Sequence, residues 1–195
     1  MKYLYVLLLG LSLISCEFKE PIEITQIISK EMVILEDNYK DRSATKDSIR
    51  ISIPLEFEVN MDSSTRYVVW FYRVDKKTLM DDAFDYEVYN KQDKTKQIFQ
   101  IDSDLANNKL INIIIKQNNY LISKRDAQKL LKKYNINKSL ENLKSHDIIR
   151  LTTYDKFRNE NKTLINDFNK IPDSIHFKAM RGKKENFYVV KKINW

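Results

Sequence analysis

A stretch of strict alternation does most to limit what this chain can fold into. Between Ser48 and Val59 every second residue is apolar and the residues between them are mostly polar. The apolar positions are Ile49, Ile51, Ile53, Leu55, Phe57 and Val59. A period of two is that of a β-strand, so the pattern predicts a strand with one buried and one solvent-exposed face. Pro54 lies in the polar phase and cannot donate a ladder hydrogen bond, which favours an edge strand or a bulge.

Further strand-like segments are spaced along the first two thirds of the chain. They are Ile22 to Ile28, Met32 to Leu35, Arg66 to Val74, Phe84 to Tyr89, Lys96 to Ile101 and Leu110 to Lys116. Within the third of these, Tyr67 to Tyr72 is apolar on both faces, as in a central strand. Such spacing, with polar connections, indicates an antiparallel sandwich, and an immunoglobulin-like topology is compatible with the strand count.

The hydrophobic period changes after residue 120. Ser123 with Asp126 has the spacing of a capping box and predicts a helix that ends near Asn135. Thr153 is expected to precede a second helix, which Pro172 stops. The apolar face of this second helix comprises Phe157, Leu164, Ile165 and Phe168.

Three more strands are predicted around these helices, at Ile148 to Thr152, Ile175 to Ala179 and Phe187 to Ile193. The segment Arg181-Gly182-Lys183-Lys184 has the composition of a hairpin turn. Because so few strands bury little on their own, we expect them to join the earlier sheets. The sequence thus predicts an α+β fold, predominantly antiparallel β and sandwich-like, with two helices in its last third. Residues 22–195 are expected to form a single β-rich domain, with a subdivision near residue 123 as the alternative.

The scarcity of glycine excludes several enzyme classes. Only Gly10 and Gly182 occur, whereas loops that cradle phosphate need glycines so that backbone amides can approach the anion. The chain therefore lacks a P-loop, a Rossmann fingerprint and the G-x-S-x-G elbow of α/β-hydrolases.

The net charge of +7 comes from dispersed lysines and arginines, so no nucleic-acid partner is predicted. Lys129, Lys132 and Lys133 are an example of a lysine-rich tract. We interpret this tract as a solvated helix face, and the functional alternative is attraction to anionic lipid or to an acidic partner.

The first sixteen residues contain the one motif with a specific meaning. Lys2 precedes an apolar run from Tyr3 to Ile14, which is too short to cross about 30 Å of hydrocarbon. The tetrapeptide Leu13-Ile14-Ser15-Cys16 resembles the lipobox of bacterial lipoproteins: aliphatic, then small, then cysteine. The resemblance implies that residues 1–15 are a signal peptide, that Cys16 is lipidated, and that residues 16–21 tether the domain to a membrane.

The residues around Cys16 also bear on its location. Glu17 instead of Asp follows Cys16, so the best-known inner-membrane retention signal is absent. The tract Cys16 to Glu20 partly resembles that of surface-exported Bacteroidota lipoproteins, from which Pro21 departs. We therefore expect an outer-membrane lipid anchor, with the domain facing the periplasm or the cell surface. Because Cys16 is the only cysteine, its lipidation leaves no thiol for a disulfide, a zinc site or a nucleophile.

The candidate catalytic residues are weak. Ser145, His146 and Asp147 are the residue types of a triad, but adjacent strand residues face opposite sides. His176 falls in the exposed phase of its strand. We therefore predict no catalytic, cofactor-binding or metal-binding residue.

Two acidic clusters lack the glycine of a calcium loop, so we interpret them as solvated loops. They comprise Asp81, Asp82, Asp85 and Glu87, and Asp102, Ser103 and Asp104. Stacking of a sugar or peptide on exposed Tyr39, Tyr120 or Trp195 is a further alternative.

Three functional classes remain open. The favoured one is a non-enzymatic binding or interaction lipoprotein of the cell envelope, which is anchored through lipid on Cys16 and has an envelope protein as its partner. The second is an immunity lipoprotein that neutralises an antibacterial toxin. The third is an envelope enzyme, which requires a buried, convergent group of Asp, Glu and His side chains.

Overall fold

The computed structural model describes most of the chain from residue 20 onward. The described ranges are 20–37, 47–79, 85–103, 110–118, 120–141, 143–144, 147–183 and 185–195. The strands are β1 (Ile22–Ile27), β2 (Met32–Glu36), β3 (Ser48–Ser52), β4 (Pro54–Met61), β5 (Thr65–Val74), β6 (Lys77–Thr78), β7 (Tyr86–Asn90), β8 (Ile101–Asp102), β9 (Leu110–Gln117), β10 (Leu121–Ser123), β11 (Ile148–Thr153), β12 (Ser174–Arg181) and β13 (Glu185–Lys192). The helices are α1 (Lys124–Lys133), α2 (Tyr154–Glu160) and α3 (Lys162–Asn169).

These elements confirm the predicted class, α+β with predominantly antiparallel, sandwich-like strands. The described residues contain three helices where the sequence predicts two. The second predicted helix is divided at Asn161, whose backbone angles (φ −123°, ψ 45°) leave the helical region. The Phe157 carbonyl accepts from both the Asn161 backbone N–H at 2.9 Å and the Asn161 side-chain amide at 2.8 Å, which closes the end of α2 at the break.

The described strands pair as three antiparallel sheets. Sheet A has the order β1-β4-β9-β7, sheet B the order β10-β3-β2-β11, and sheet C the order β13-β12-β5-β6 with β8 beside β5. An immunoglobulin domain has two sheets, so that arrangement is not found in the described part of the chain. The prediction that the last strands join the earlier ones is confirmed, because β12 pairs with β5 and β11 with β2.

Sheets A and C pack face to face through aromatic side chains. The ring of Phe57 on β4 lies 5.7 Å from that of Phe177 on β12, and the same distance separates Tyr72 on β5 from Tyr86 on β7. All four rings are buried. Edge-to-face pairs of this kind stabilise a core beyond their area of burial.

The alternating segment forms two strands that belong to different sheets. The chain leaves sheet B after Ser52 and enters sheet A at Pro54, the first residue of β4, where a missing N–H is tolerated. The predicted edge strand is wrong, since β3 and β4 each lie between two neighbours. The predicted solvent-exposed face is also wrong, because Arg50, Ser52 and Glu56 of the polar phase are buried.

Two other predicted strands differ in detail. Of the segment from Lys96 to Ile101, only Ile101 belongs to a strand, β8. The segment from Tyr67 to Tyr72 pairs with β12 along its length and with β8 only at Tyr67 and Val68. One of its faces is partly open, and Phe71 is 46% exposed.

The sandwich has two chemically different ends. β1 begins at Ile22, opposite Met61, and Pro21 just before it is buried and accepts a hydrogen bond from the Asp62 N–H at 2.9 Å. The β4–β5 turn and the β12–β13 hairpin share this end, where the Gly182 N–H donates to the Ser64 carbonyl at 3.2 Å. We call it the hairpin end.

Sheet B and the three helices lie at the opposite end, which we call the helical end. β4 starts there, since Pro54 continues directly from β3 of sheet B. β9 also finishes there, with Lys116 opposite Pro54, and leads into β10 and α1. None of the helices in the described ranges is long and apolar enough to cross a membrane.

Candidate functional site

Helix α1 begins with the predicted cap. The Ser123 Oγ accepts a hydrogen bond from the Asp126 N–H at 3.0 Å, and donates to the Asp126 carboxylate at 2.7 Å. Ala127, Leu130 and Leu131 are buried, so this face anchors the helix to the fold. The opposite face of α1 is exposed and strongly basic.

Helix α1 ends in a chain reversal that builds a second wall beside it. Asn135 adopts a left-handed conformation with φ 56°. The Ile136 N–H donates to the Leu131 carbonyl at 2.9 Å, and the Asn135 N–H to the Lys132 carbonyl at 3.2 Å. This is the double hydrogen-bond pattern of a Schellman motif, which turns the chain sharply at the helix end.

The basic groove lies between this reversal and the exposed face of α1. It has a volume of about 760 Å³ and is lined by Arg125, Gln128, Lys129, Lys132, Asn135, Ile136 and Asn137. A neighbouring depression of about 510 Å³ shares Arg125, Gln128 and Asn137 with it and adds Lys124, Lys138 and one carboxylate, Glu141. The two form one continuous surface at the helical end, in which cations outnumber carboxylates.

The cations of the basic groove are only partly neutralised. Lys129 forms an ion pair with Asp126 at 2.7 Å, and hydrogen bonds from Lys129 and Ser123 hold the pKa of Asp126 below its ordinary value. By contrast, no carboxylate of the described residues lies within 4 Å of the charged groups of Arg125 or Lys132. With respect to the described part of the chain, these two cations are unpaired and open to a ligand.

A neighbouring lysine has a different role. The Lys133 ammonium donates to the Glu160 carbonyl at 2.6 Å and to the Asn161 Oδ1 at 2.9 Å. It thus connects α1 to the break between α2 and α3. Of the three lysines interpreted as a solvated face, Lys133 is structural, whereas Lys129 and Lys132 line the groove.

The groove has the donors of an anion-binding site. Arg125 offers a planar fork of N–H donors suited to carboxylate or phosphate, and Lys132 offers a mobile point charge. The carboxamides of Gln128, Asn135 and Asn137 add neutral donors and acceptors. This combination suits the binding of a negatively charged surface.

A second polar cluster lies in the core. Asp173 is 1% exposed and accepts a hydrogen bond from the Tyr120 hydroxyl. Burial raises the pKa of Asp173 to about 6, and burial together with this hydrogen bond raises the pKa of Tyr120. The Tyr120 ring lies 5.1 Å from that of Trp195, edge to face.

This buried cluster connects the last residues of the chain to the helices. The Trp195 N–H donates to the Asn169 Oδ1 at 3.2 Å, and the Arg158 Nε donates to the Trp195 carbonyl at 2.9 Å. Tyr120 and Trp195 are buried, so the predicted exposed stacking platform is wrong at both positions. We assign the cluster a structural role.

The other sequence candidates do not converge. Cys16, Tyr39, Ser145 and His146 lie outside the described residues. His176 is half-buried on β12, 3.2 Å from the Ser174 Oγ, and burial with the nearby Arg73 charge lowers its pKa. In the described ranges no group of His, Cys, Asp and Glu side chains is placed to hold a metal ion.

The sequence pattern indicates the lysines of the groove but not its other residues. Arg125 lies four residues before Lys129, so the helical period alone could have added it to the same face. No pattern in the sequence predicts that Asn137 lines the groove, because the chain reversal at Asn135 is what brings it beside α1. A comparison of the chain with protein-family models, curated proteins and solved structures found no match.

Proposed function

We propose that this protein is a lipid-anchored, non-enzymatic binding lipoprotein of the bacterial outer membrane, which presents the basic groove to a protein of the cell envelope. The observation that supports this function best is the position of the groove. It lies at the helical end, opposite the point where the chain from Cys16 enters the fold.

The short tether favours a fixed orientation on the membrane. Only residues 17–20 separate Cys16 from Pro21, and an extended chain spans about 3.4 Å per residue, or roughly 17 Å in all. Two or three acyl chains on Cys16 would anchor the protein stably. The hairpin end then rests beside the membrane, and strands of eight residues such as β12 hold the helical end about 25 Å farther away.

The Cys16→Ala variant tests the anchor. Without the thiol to be lipidated, the variant should appear in the soluble fraction or remain unprocessed, whereas the wild type should sediment with membranes. Mass spectrometry of the wild-type amino-terminal peptide should show acyl chains on Cys16. The matched control is Ser15→Ala, which keeps a small residue before the cysteine and should be lipidated normally. Processed Cys16→Ala protein that sediments like the wild type would contradict the anchor.

Capture of partners from native envelopes tests the groove. Lipidated wild type should retain an envelope protein that the double variant Arg125→Glu/Lys132→Glu loses. The control Lys96→Glu/Lys192→Glu changes the net charge equally at exposed positions outside the groove and should retain it. A toxin among the groove-dependent partners would assign the protein to the immunity class. Identical capture by all three proteins would exclude the groove as the binding surface.

A further inference from the structure

We infer that the occupant of the basic groove is an acidic helical segment of a partner protein, lying along α1. This inference rests on the proposed binding function and specifies its partner. It follows from the spacing of the cations, from the composition of the groove walls and from the position of the groove in the molecule.

The cations of α1 form a straight row at helical spacing. Arg125, Lys129 and Lys132 are four and three residues apart, so they share one face, and their backbone positions lie about 6 Å and 4.5 Å apart along the axis. A partner helix has the same rise per residue, so carboxylates at positions i and i+7 of an antiparallel helix can face the two unpaired cations, Lys132 and Arg125. A carboxylate at position i+3 can share Lys129 with Asp126. Same-face residues of an extended strand recur about 6.6 Å apart, so its first and third carboxylates would lie about 13 Å apart. This is more than the roughly 10.5 Å between the backbone positions of Arg125 and Lys132.

The walls of the groove favour a protein segment over a glycan. Among the described residues, its lining contains no aromatic ring on which a sugar or a base could stack. It contains the half-buried Ile136, which offers an apolar contact to the non-acidic side of an amphipathic helix. The three carboxamides can donate to carboxylates that the row of cations does not reach.

The position of the groove argues against anionic lipid as the occupant. The groove lies at the helical end, about 25 Å from the hairpin end along the strands. If Cys16 is lipidated, the membrane lies beside the hairpin end. Attraction between exposed charges is screened beyond about 8 Å at physiological ionic strength. A membrane at the hairpin end therefore does not reach these cations, whereas a partner protein above the membrane does.

Two synthetic peptides test the inference on the full lipidated protein in detergent. Both are helical 18-residue peptides of the same composition, one with glutamates at i, i+3 and i+7 on a single face and one with them dispersed around the helix. We expect the single-face peptide to bind at least tenfold more tightly, with an affinity that falls as salt rises. Equal affinities for the two peptides would overturn the inference, because net charge alone would then explain binding.

Matched variants assign that binding to the groove. Arg125→Glu/Lys132→Glu should weaken the single-face peptide at least tenfold, and Lys96→Glu/Lys192→Glu less than twofold. Arg125→Gln/Lys132→Gln removes the charges without reversal and keeps the test valid if the first variant folds poorly. Equal losses in the groove and control variants, or complete competition by phosphatidylglycerol added as mixed micelles in the same detergent, would overturn the inference.

A photo-crosslinker at Gln128 tests the occupant in native envelopes. A crosslinked peptide with carboxylates on one helical face would support the inference. Crosslinks only to lipid or glycan, or none above those at a Lys192 control site, would overturn it. Membrane sedimentation of processed Cys16→Ala protein would refute the proposed anchoring and leave the peptide result standing, so the two failures are distinguishable.

Discussion

At the scale of single residues, Asp173 couples the stability of the fold to pH. Its buried carboxyl has a pKa raised to about 6, whereas an aspartate in the unfolded chain titrates near 3.9. The native state therefore binds this proton more tightly. The contribution of Asp173 to stability is present in full below about pH 4 and is lost as pH rises to about 6.

The variant Asp173→Asn isolates this effect, because the asparagine stays neutral and can still accept from the Tyr120 hydroxyl. We expect its free energy of unfolding, measured in urea, to fall less than that of the wild type between pH 4 and pH 7. Asp167→Asn, at an exposed helix position, is the control for the loss of one carboxylate. Parallel pH profiles for wild type and Asp173→Asn would contradict the assignment.

The burial of Tyr120 and Trp195 cannot be predicted from the residues near them in the sequence. Both residues lie just outside predicted strands, where exposure is the ordinary expectation. Their burial comes from a contact between the chain before β10 and the chain after β13, with Phe168 of α3 packed against both rings. No local sequence pattern predicts a contact between segments so far apart in the chain.

At the scale of elements, the ends of α1 could be predicted because capping is local chemistry. Ser123 and Asp126 start the helix as their spacing indicates. The helix ends at Lys133, close to the predicted end near Asn135. The burial of the polar residues of β3 and β4 could not be predicted, because it depends on partners that are distant in the sequence. Buried Glu56 forms an ion pair with Lys91 at 2.5 Å, and Arg50 approaches Glu36 at 4.0 Å.

The reversal after α1 gives a prediction at the same scale. Asn135 has φ 56°, a conformation that costs an ordinary side chain about 1–2 kcal/mol and costs glycine little. Asn135→Ala should therefore lower the free energy of unfolding by about 1 kcal/mol, whereas Asn135→Gly should preserve or raise it. Asn137→Ala, two residues along and exposed, is the control in the same denaturation experiment. A glycine variant that is less stable than the alanine variant would contradict this account.

At the scale of the whole molecule, the class of fold could be predicted but its division into sheets could not. Alternation and turn composition identify antiparallel strands, and the change of period identifies helices. Neither reports which strands pair, and β3 and β4 belong to different sheets although their alternation is continuous. The separation of the hairpin end from the helical end follows from that division, so the position of the groove became visible only in the structure.

The proposed orientation gives the last prediction. Lipidation would consume the thiol of Cys16, so Lys183→Cys at the hairpin end and Lys132→Cys in the groove each add one free thiol for a fluorophore. In vesicles with a headgroup-attached quencher, the label at position 183 should be quenched and the label at position 132 should not, since about 25 Å of strand separates the two ends. Both labels should stay bright when unlipidated protein is mixed with the same vesicles. Equal quenching at both positions would mean that the domain lies on its side, and stronger quenching at position 132 would mean that the groove faces the membrane.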